Sequence, residues 1–179
     1  MKMSRAALGA AVLIALWTTG PALAAPSGLL DKTITVSFTA SGMAKTSMGA
    51  TRSFNTQVSR IIYVSSNGRL FMRHRATRTV GLKSRSRGGD FAPDDERQGR
   101  GSFNFQGNRL VGVIPYANGA RQITISFDSS FGTCSASIIE GRSNGTIRRI
   151  SPGGEMVEIS SATTSSPSCS ITAGNAFAN

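Results

Sequence analysis

The chain of 179 residues has little of the material from which catalytic and metal sites are built. It contains one histidine, His74, two cysteines and nine carboxylates, against twenty lysines and arginines. A single histidine excludes metal sites with several histidine ligands, and a Ser-His-Asp triad would have to include His74. The composition therefore argues against an enzyme and predicts no cofactor.

The few acidic residues are poorly placed for acid–base chemistry. Asp94, Asp95 and Glu96 form an acidic cluster within a polar stretch, residues 88–101, that has glycines at both ends and is predicted to be a loop. Carboxylates adjacent in a loop do not flank a substrate as the two carboxylates of a glycosidase do. We expect these three to pair with neighbouring arginines.

A G-x-S-x-G pattern occupies residues 141–145. The pattern presents a nucleophile only on a turn between a strand and a helix. Here strand-like segments flank it on both sides and Asn144-Gly145 predicts an ordinary turn, so we do not expect Ser143 to be catalytic.

The apolar run near the start of the chain is too short to span a membrane comfortably, and no later stretch is long and apolar enough to do so. Lys2 and Arg5 precede an apolar segment at 6–17, and Ala22-Leu23-Ala24 forms an A-x-A cleavage site. These features predict a signal peptide at 1–24, followed by a single mature domain at 25–179 that is exported to the periplasm or secreted.

Two cysteines in an exported chain predict a disulfide between Cys134 and Cys169. Their spacing is long and no histidine lies near them in the sequence, which disfavours a metal site. Two free thiols are the alternative.

Short segments of alternating apolar and polar residues run through the chain. At 33–40, for example, Ile34, Val36 and Phe38 alternate with hydroxyl side chains. Turn signals such as Asn-Gly recur about every 8–12 residues. The pattern predicts eight to ten short strands in an all-β, antiparallel domain, either barrel-like or a β-sandwich, with one disulfide; we favour the barrel. Residues 41–50 are predicted to be a loop, and residues 160–168 a loose Ser/Thr-rich stretch.

Residues 60–75 predict a β-hairpin around Asn67-Gly68. A two-residue loop would pair Ile62 with Arg73 and place Arg60 opposite Arg75. A three-residue loop with Gly68 in the left-handed conformation would pair Ile62 with Met72 and gather apolar side chains on one face. We favour the second register because it avoids two directly opposed arginines.

Positive charge is concentrated in the second half of the stretch 60–87, which begins with this hairpin. Without Lys2 and Arg5 the chain has 18 basic residues against 9 acidic ones, and arginine dominates. Arginine binds phosphate, sulfate and carboxylate through two parallel hydrogen bonds. We predict a cationic segment that extends from the sheet and binds anions; its residues are Arg69, Arg73, Arg75, Arg78, Lys83, Arg85 and Arg87.

The predicted location outside the cytosol limits the partners of this segment. Anionic polysaccharide, a lipid headgroup or an acidic protein are accessible to an exported protein, whereas nucleic acid is an unlikely partner outside the cell. A basic surface that only keeps the protein soluble is the competing interpretation.

Three segments carry a resemblance: IIYVSSNGRLF, GARQITISFDSSFGTCSASI and SPSCSI. They resemble segments of small exported bacterial all-β proteins of unassigned function. The resemblance implies an exported single domain with Cys134 and Cys169 paired, and it implies no activity, ligand or catalytic residue.

The sequence thus favours a non-enzymatic β-domain that binds an anionic ligand or surface. One alternative is a carrier that holds a small apolar molecule in a barrel interior. The other is an envelope enzyme that uses Asp94, Asp95, Glu96 or His74.

Overall fold

A computed structural model describes residues 24–91, 101–116, 119–142 and 147–178. Nearly all of this is β-structure in antiparallel sheets, which confirms the predicted class. None of the helical segments described is long and apolar enough to cross a membrane. Most of the predicted signal peptide lies outside the described residues.

Eleven strands are described, more than the eight to ten predicted, and the first two are long. A short 3-10 helix, Ser27–Leu29, precedes them. In chain order the strands are β1 (Lys32–Thr46), β2 (Thr51–Val64), β3 (Leu70–Val80), β4 (Lys83–Phe91), β5 (Ser102–Gln106), β6 (Arg109–Tyr116), β7 (Gly119–Phe127), β8 (Cys134–Arg142), β9 (Ile147–Ile150), β10 (Met156–Thr164) and β11 (Ser168–Ala173).

Strand β1 is the common element of the larger sheet, whose order is β4-β3-β2-β1-β10-β9. One edge of β1 pairs with β2 from Lys32 to Lys45. Its other edge pairs first with β11 and then, from Ala40 onward, with β10. The smaller sheet has the order β5-β6-β7-β8.

The two sheets face each other across a shared hydrophobic core. In the described part of the chain neither sheet closes on itself, so the preference for a barrel is wrong and the two-sheet arrangement fits a sandwich. The core takes buried side chains from both layers: Ile34, Val36, Phe38, Val58, Ile62, Val64 and Met72 from the larger sheet, and Phe103, Phe105, Leu110, Ile114, Ile123, Ile125 and Phe127 from the smaller.

The larger sheet continues past this core. Residues 41–46, predicted as loop, extend β1 and pair on both edges, with a bulge between Met43 and Ala44. Residues 160–164, predicted to be loose, belong to β10. A second, smaller cluster of buried side chains lies here. All of its members belong to the larger sheet: Ala44, Phe54, Val80, Val157 and Ile159.

The hairpin at 60–75 has the predicted three-residue register. Val64 pairs with Leu70, Ile62 with Met72, and Arg60 with His74. The chain turns through 66–68, where Gly68 has a φ of 79°. A positive φ of this size is tolerated best by glycine.

The basic segment does not extend from the sheet as predicted. It forms β3 and β4 of the larger sheet, joined by a tight turn at Gly81 and Leu82. Strand β4 also includes residues 88–91, which were assigned to the polar loop. The charges are therefore held on a regular hairpin at the sheet edge.

The predicted disulfide between Cys134 and Cys169 is present, with a Cα–Cα distance of 5.6 Å. Cys134 begins β8 of the smaller sheet and Cys169 lies on β11 of the larger. The bond therefore links the two layers covalently. Both cysteines pack against the shared core.

We expect the double variant Cys134→Ser/Cys169→Ser to melt at a lower temperature than the wild type. The cysteines are 35 residues apart, and closing a loop of that size is worth about 3–4 kcal/mol in the chain-entropy description. For a chain of this length that corresponds to roughly 6–16 °C. Thermal unfolding followed by circular dichroism measures the difference, and an unchanged melting temperature would show that the bond does not stabilise the two layers.

Candidate anion-binding site

The cations predicted to bind anions lie on both faces of the β3–β4 hairpin. Side chains alternate between faces along a strand. Arg78 shares the face of β3 that buries Met72 and Val80, whereas Arg73 and Arg75 lie on the opposite face. The cations of the predicted segment are therefore divided between the two faces of the hairpin.

Four of the cations lie together on the core-side face of this hairpin. Lys83 pairs with Val80, Arg85 with Arg78, and Arg87 with Ala76, so all three follow the face of Arg78. We call this set the basic face: Arg78, Lys83, Arg85 and Arg87.

The basic face is open to solvent along the edge strand. Lys83, Arg85 and Arg87 are exposed, and in the described part of the chain they form no ion pair. Arg78 lies directly opposite Arg85, and its Nε donates a hydrogen bond of 3.1 Å to Thr56 Oγ1. Like charges directly opposite each other on a sheet destabilise it.

The opposite face of the hairpin already carries its own counter-charge. Arg73 donates hydrogen bonds to both carboxylate oxygens of Asp90, at 2.9 and 2.8 Å, and Arg75 lies 3.3 Å from the same carboxylate. These contacts lower the pKa of Asp90, the hydrogen bond from Arg73 being the largest cause. The Arg73 guanidinium also lies 4.6 Å from the centre of the Phe177 ring. Arg73 and Arg75 are therefore weaker candidates for an external anion.

Arg69 lies apart from the other six cations. It follows Gly68 in the β2–β3 turn, where its backbone N–H donates to Ser65 Oγ at 3.0 Å. The β3–β4 turn is at the other end of β3. Arg69 is therefore remote along the strand from Lys83 and Arg85.

A second group of cations, which the sequence analysis missed, lies near the shared core. Arg60 is only 5% exposed, and its Nε has no hydrogen-bond partner among the described residues. Its guanidinium lies 6.0 Å from the centre of the Phe103 ring. Burial, and to a lesser degree the charge of Arg121, lower the pKa of Arg60 to about 10.

Arg121 and His74, both half-buried, lie near Arg60. Arg121 donates a hydrogen bond of 2.6 Å to Glu140 Oε1 and lies 4.8 Å from the centre of the Phe38 ring. His74 is the cross-strand partner of Arg60. A signal was visible in the sequence, because Arg60 and Arg121 each occupy a core-facing position in an alternating strand.

A polar trough of about 530 Å³ crosses the outer face of the larger sheet. Strands β1, β2 and β3 form its floor, and the segment between β10 and β11 forms one side. Arg75 is the cation that reaches it. Hydroxyl and amide groups dominate its lining: Ser37, Thr39, Gln57, Ser59, Thr77 and Ser165.

The remaining sequence candidates do not assemble into a described site. Asp94, Asp95 and Glu96 lie outside the described residues, as does Ser143 of the G-x-S-x-G pattern. Among the residues described, no group of three or more histidine, cysteine, aspartate and glutamate side chains could hold a metal ion.

No family model, curated protein or solved structure matches this chain. The resemblance of its segments to small exported proteins therefore stays a prediction, and the site must be interpreted from its own chemistry.

We expect His74 to make the stability of the protein depend on pH. Burial, followed by the charges of Arg60, Arg121 and Arg75, lowers the pKa of His74 to about 4 from 6.5. The unfolded chain therefore binds the proton more readily, and this part of the stability is lost as the pH falls from about 6.5 through 4. Denaturant unfolding at a series of pH values should show a shallower dependence in His74→Gln than in the wild type; superimposable profiles would contradict the assignment.

Proposed function

We propose that the protein is an exported, non-enzymatic β-domain that binds an anionic ligand or surface through the basic face. The observation that supports this is the alignment of Lys83, Arg85 and Arg87 on one exposed side of an edge strand, with Arg78 opposite Arg85. A regular strand repeats its side chains every two residues. The hairpin thereby presents a row of cations to an extended or flat partner.

The chemistry of the row suits a partner with several negative charges. Guanidinium groups make paired hydrogen bonds to phosphate, sulfate and carboxylate. Exposed single ion pairs contribute little, typically about 0–1 kcal/mol, so useful affinity requires several contacts at once. An anionic polysaccharide, a lipid headgroup layer or an acidic protein each supplies such an array.

Export is part of this proposal. Disulfides persist in oxidising compartments outside the cytosol, and the bond between Cys134 and Cys169 is consistent with that environment. A location outside the cell also disfavours nucleic acid as the partner.

Neither alternative gains comparable support. A carrier needs a ligand cavity between the sheets, whereas the described trough lies on an outer face and the side chains between the sheets pack against one another. An enzyme would depend on His74, whose pKa is lowered to about 4, or on residues 94–96 outside the described part of the chain.

We expect the variant Lys83→Gln/Arg85→Gln/Arg87→Gln to lose affinity for a polyanion and to keep its fold. Three contacts of roughly 0.5–1 kcal/mol each would lower the affinity by about ten- to hundredfold. Folding should be unaffected because the three side chains are exposed. Elution from heparin resin against salt measures the affinity, and circular dichroism checks the fold.

The matched control removes the same charge at cations remote from Lys83 and Arg85: Lys32→Gln/Arg69→Gln/Arg109→Gln. Its elution should shift much less than that of the basic-face variant. Equal shifts in the two variants would mean that only net charge matters, and the basic face would then be a solubilising surface.

A further inference from the structure

Three turns meet at one end of the larger sheet. The β1–β2 turn spans 47–49, the β3–β4 turn 81–82 and the β9–β10 turn 152–154. The register places all three at the same end, because Thr46 pairs with Val157 and Phe54 with Val80. We call this end of the sheet, with its three turns, the turn end.

Direct contacts link the β3–β4 turn to β2 and the β9–β10 turn to the start of β4. The N–H of Gly81 donates a hydrogen bond of 3.2 Å to the carbonyl of Ser53 on β2. A Cβ atom on Gly153 would lie 3.1 Å from Lys83 Cδ, so the β9–β10 turn approaches the start of β4. The β3–β4 and β9–β10 turns thus approach each other, and the β1–β2 turn lies at the same end of the sheet.

Large apolar side chains are exposed at the turn end. Leu82 is fully exposed and Met48 is 86% exposed, each at the tip of its turn. Ile150 and Met156, a cross-strand pair beside the third turn, are each about half exposed. Isolated exposed apolar residues are common, so it is their gathering at one end of the sheet that makes this end a candidate interaction surface.

Cations surround these apolar tips. Lys45 and Arg52 flank the first turn, and Lys83 and Arg85 follow the second; all four are exposed. The acidic residues near the third turn are Glu155, one of whose carboxylate oxygens is buried, and Glu158, which pairs with Arg148 at 2.9 Å. The charge of the turn end is therefore predominantly positive.

We propose that the turn end docks on a lipid bilayer that carries anionic headgroups, with Leu82 and Met48 inserted among the lipids. The inference rests on the proposed anion-binding function and assigns its partner. Apolar side chains at the acyl boundary combined with cations at the headgroup level are the two contributions that hold a protein on a membrane surface. A soluble polysaccharide would satisfy the cations and leave the apolar tips in water.

Vesicle flotation with the full chain tests the proposal. Vesicles of phosphatidylcholine mixed with phosphatidylglycerol should bind the wild type, and vesicles of phosphatidylcholine alone should bind it at least about tenfold less. The variant Met48→Ser/Leu82→Ser should lose about tenfold or more of the binding to the mixed vesicles. It should keep its retention on heparin, because no charge is altered.

Ile139→Ser is the matched apolar control. Ile139 is 61% exposed on β8 of the smaller sheet, away from the turn end, and its substitution should leave vesicle binding unchanged. Loss of vesicle binding in this control, or unchanged binding in Met48→Ser/Leu82→Ser, would overturn the insertion of the turn tips.

Heparin retention separates failure of this inference from failure of the proposed function. One result would be that the wild type fails to bind mixed vesicles while its heparin retention depends on Lys83, Arg85 and Arg87. That result would overturn the lipid bilayer as the partner and leave the anion-binding function intact. A wild type that binds neither overturns both.

Discussion

The structure depends on the pairing of β1 along both of its edges. From Lys32 to Lys45 one edge follows β2 without interruption, while the other edge is shared by β11 and β10 in succession. A central strand leaves none of its backbone hydrogen-bonding groups at a sheet edge. This requirement brings the C-terminal strands back to the start of the chain and places Cys169 where it can bond Cys134.

The same strand divides the larger sheet into two parts with different surroundings. Its first half packs against the smaller sheet, where Ile34, Val36 and Phe38 enter the shared core. Its second half contributes Ala44 to a small cluster built from the larger sheet alone. The far part of the sheet therefore extends beyond the second layer, and its edge hairpin and turns carry exposed cations and apolar tips.

Charged side chains have different surroundings in the two parts of the larger sheet. Arg60 and Arg121 lie near the core, where burial lowers the pKa of Arg60 and where Glu140 offsets Arg121. Burial disfavours the charged form of a side chain, which is why the pKa of Arg60 falls. At the exposed hairpin, by contrast, Lys83 and Arg85 face water and can meet a partner without a comparable desolvation penalty.

Local patterns in the sequence were sufficient for part of this fold. Apolar alternation identified the first half of β1, and Asn67-Gly68 with Ile62 and Met72 identified the hairpin register. The disulfide followed from cysteine count and the predicted compartment. Each of these depends on neighbouring residues or on composition.

Features that depend on distant strands were not predictable in this way. Gly42 and its small neighbours indicated a loop, but pairing on both edges makes them strand; tertiary context overrides local propensity. The basic segment was identified, yet its division between two faces requires the β3–β4 register. One signal was present: in Lys83-Ser84-Arg85-Ser86-Arg87 the cations alternate with serine, which places three of them on one side of a strand.

We propose that the β3–β4 hairpin contacts the anionic partner, and that binding does not depend on the net charge of the molecule alone. Backbone amide shifts of the isotope-labelled protein, titrated with a short heparin fragment, test this residue by residue. We expect perturbations concentrated at 78–87 and in the neighbouring turn at 47–52, with little change at 121–127 of the smaller sheet. Shifts centred on the outer trough at Gln57 and Ser59, or spread evenly over the surface, would contradict it.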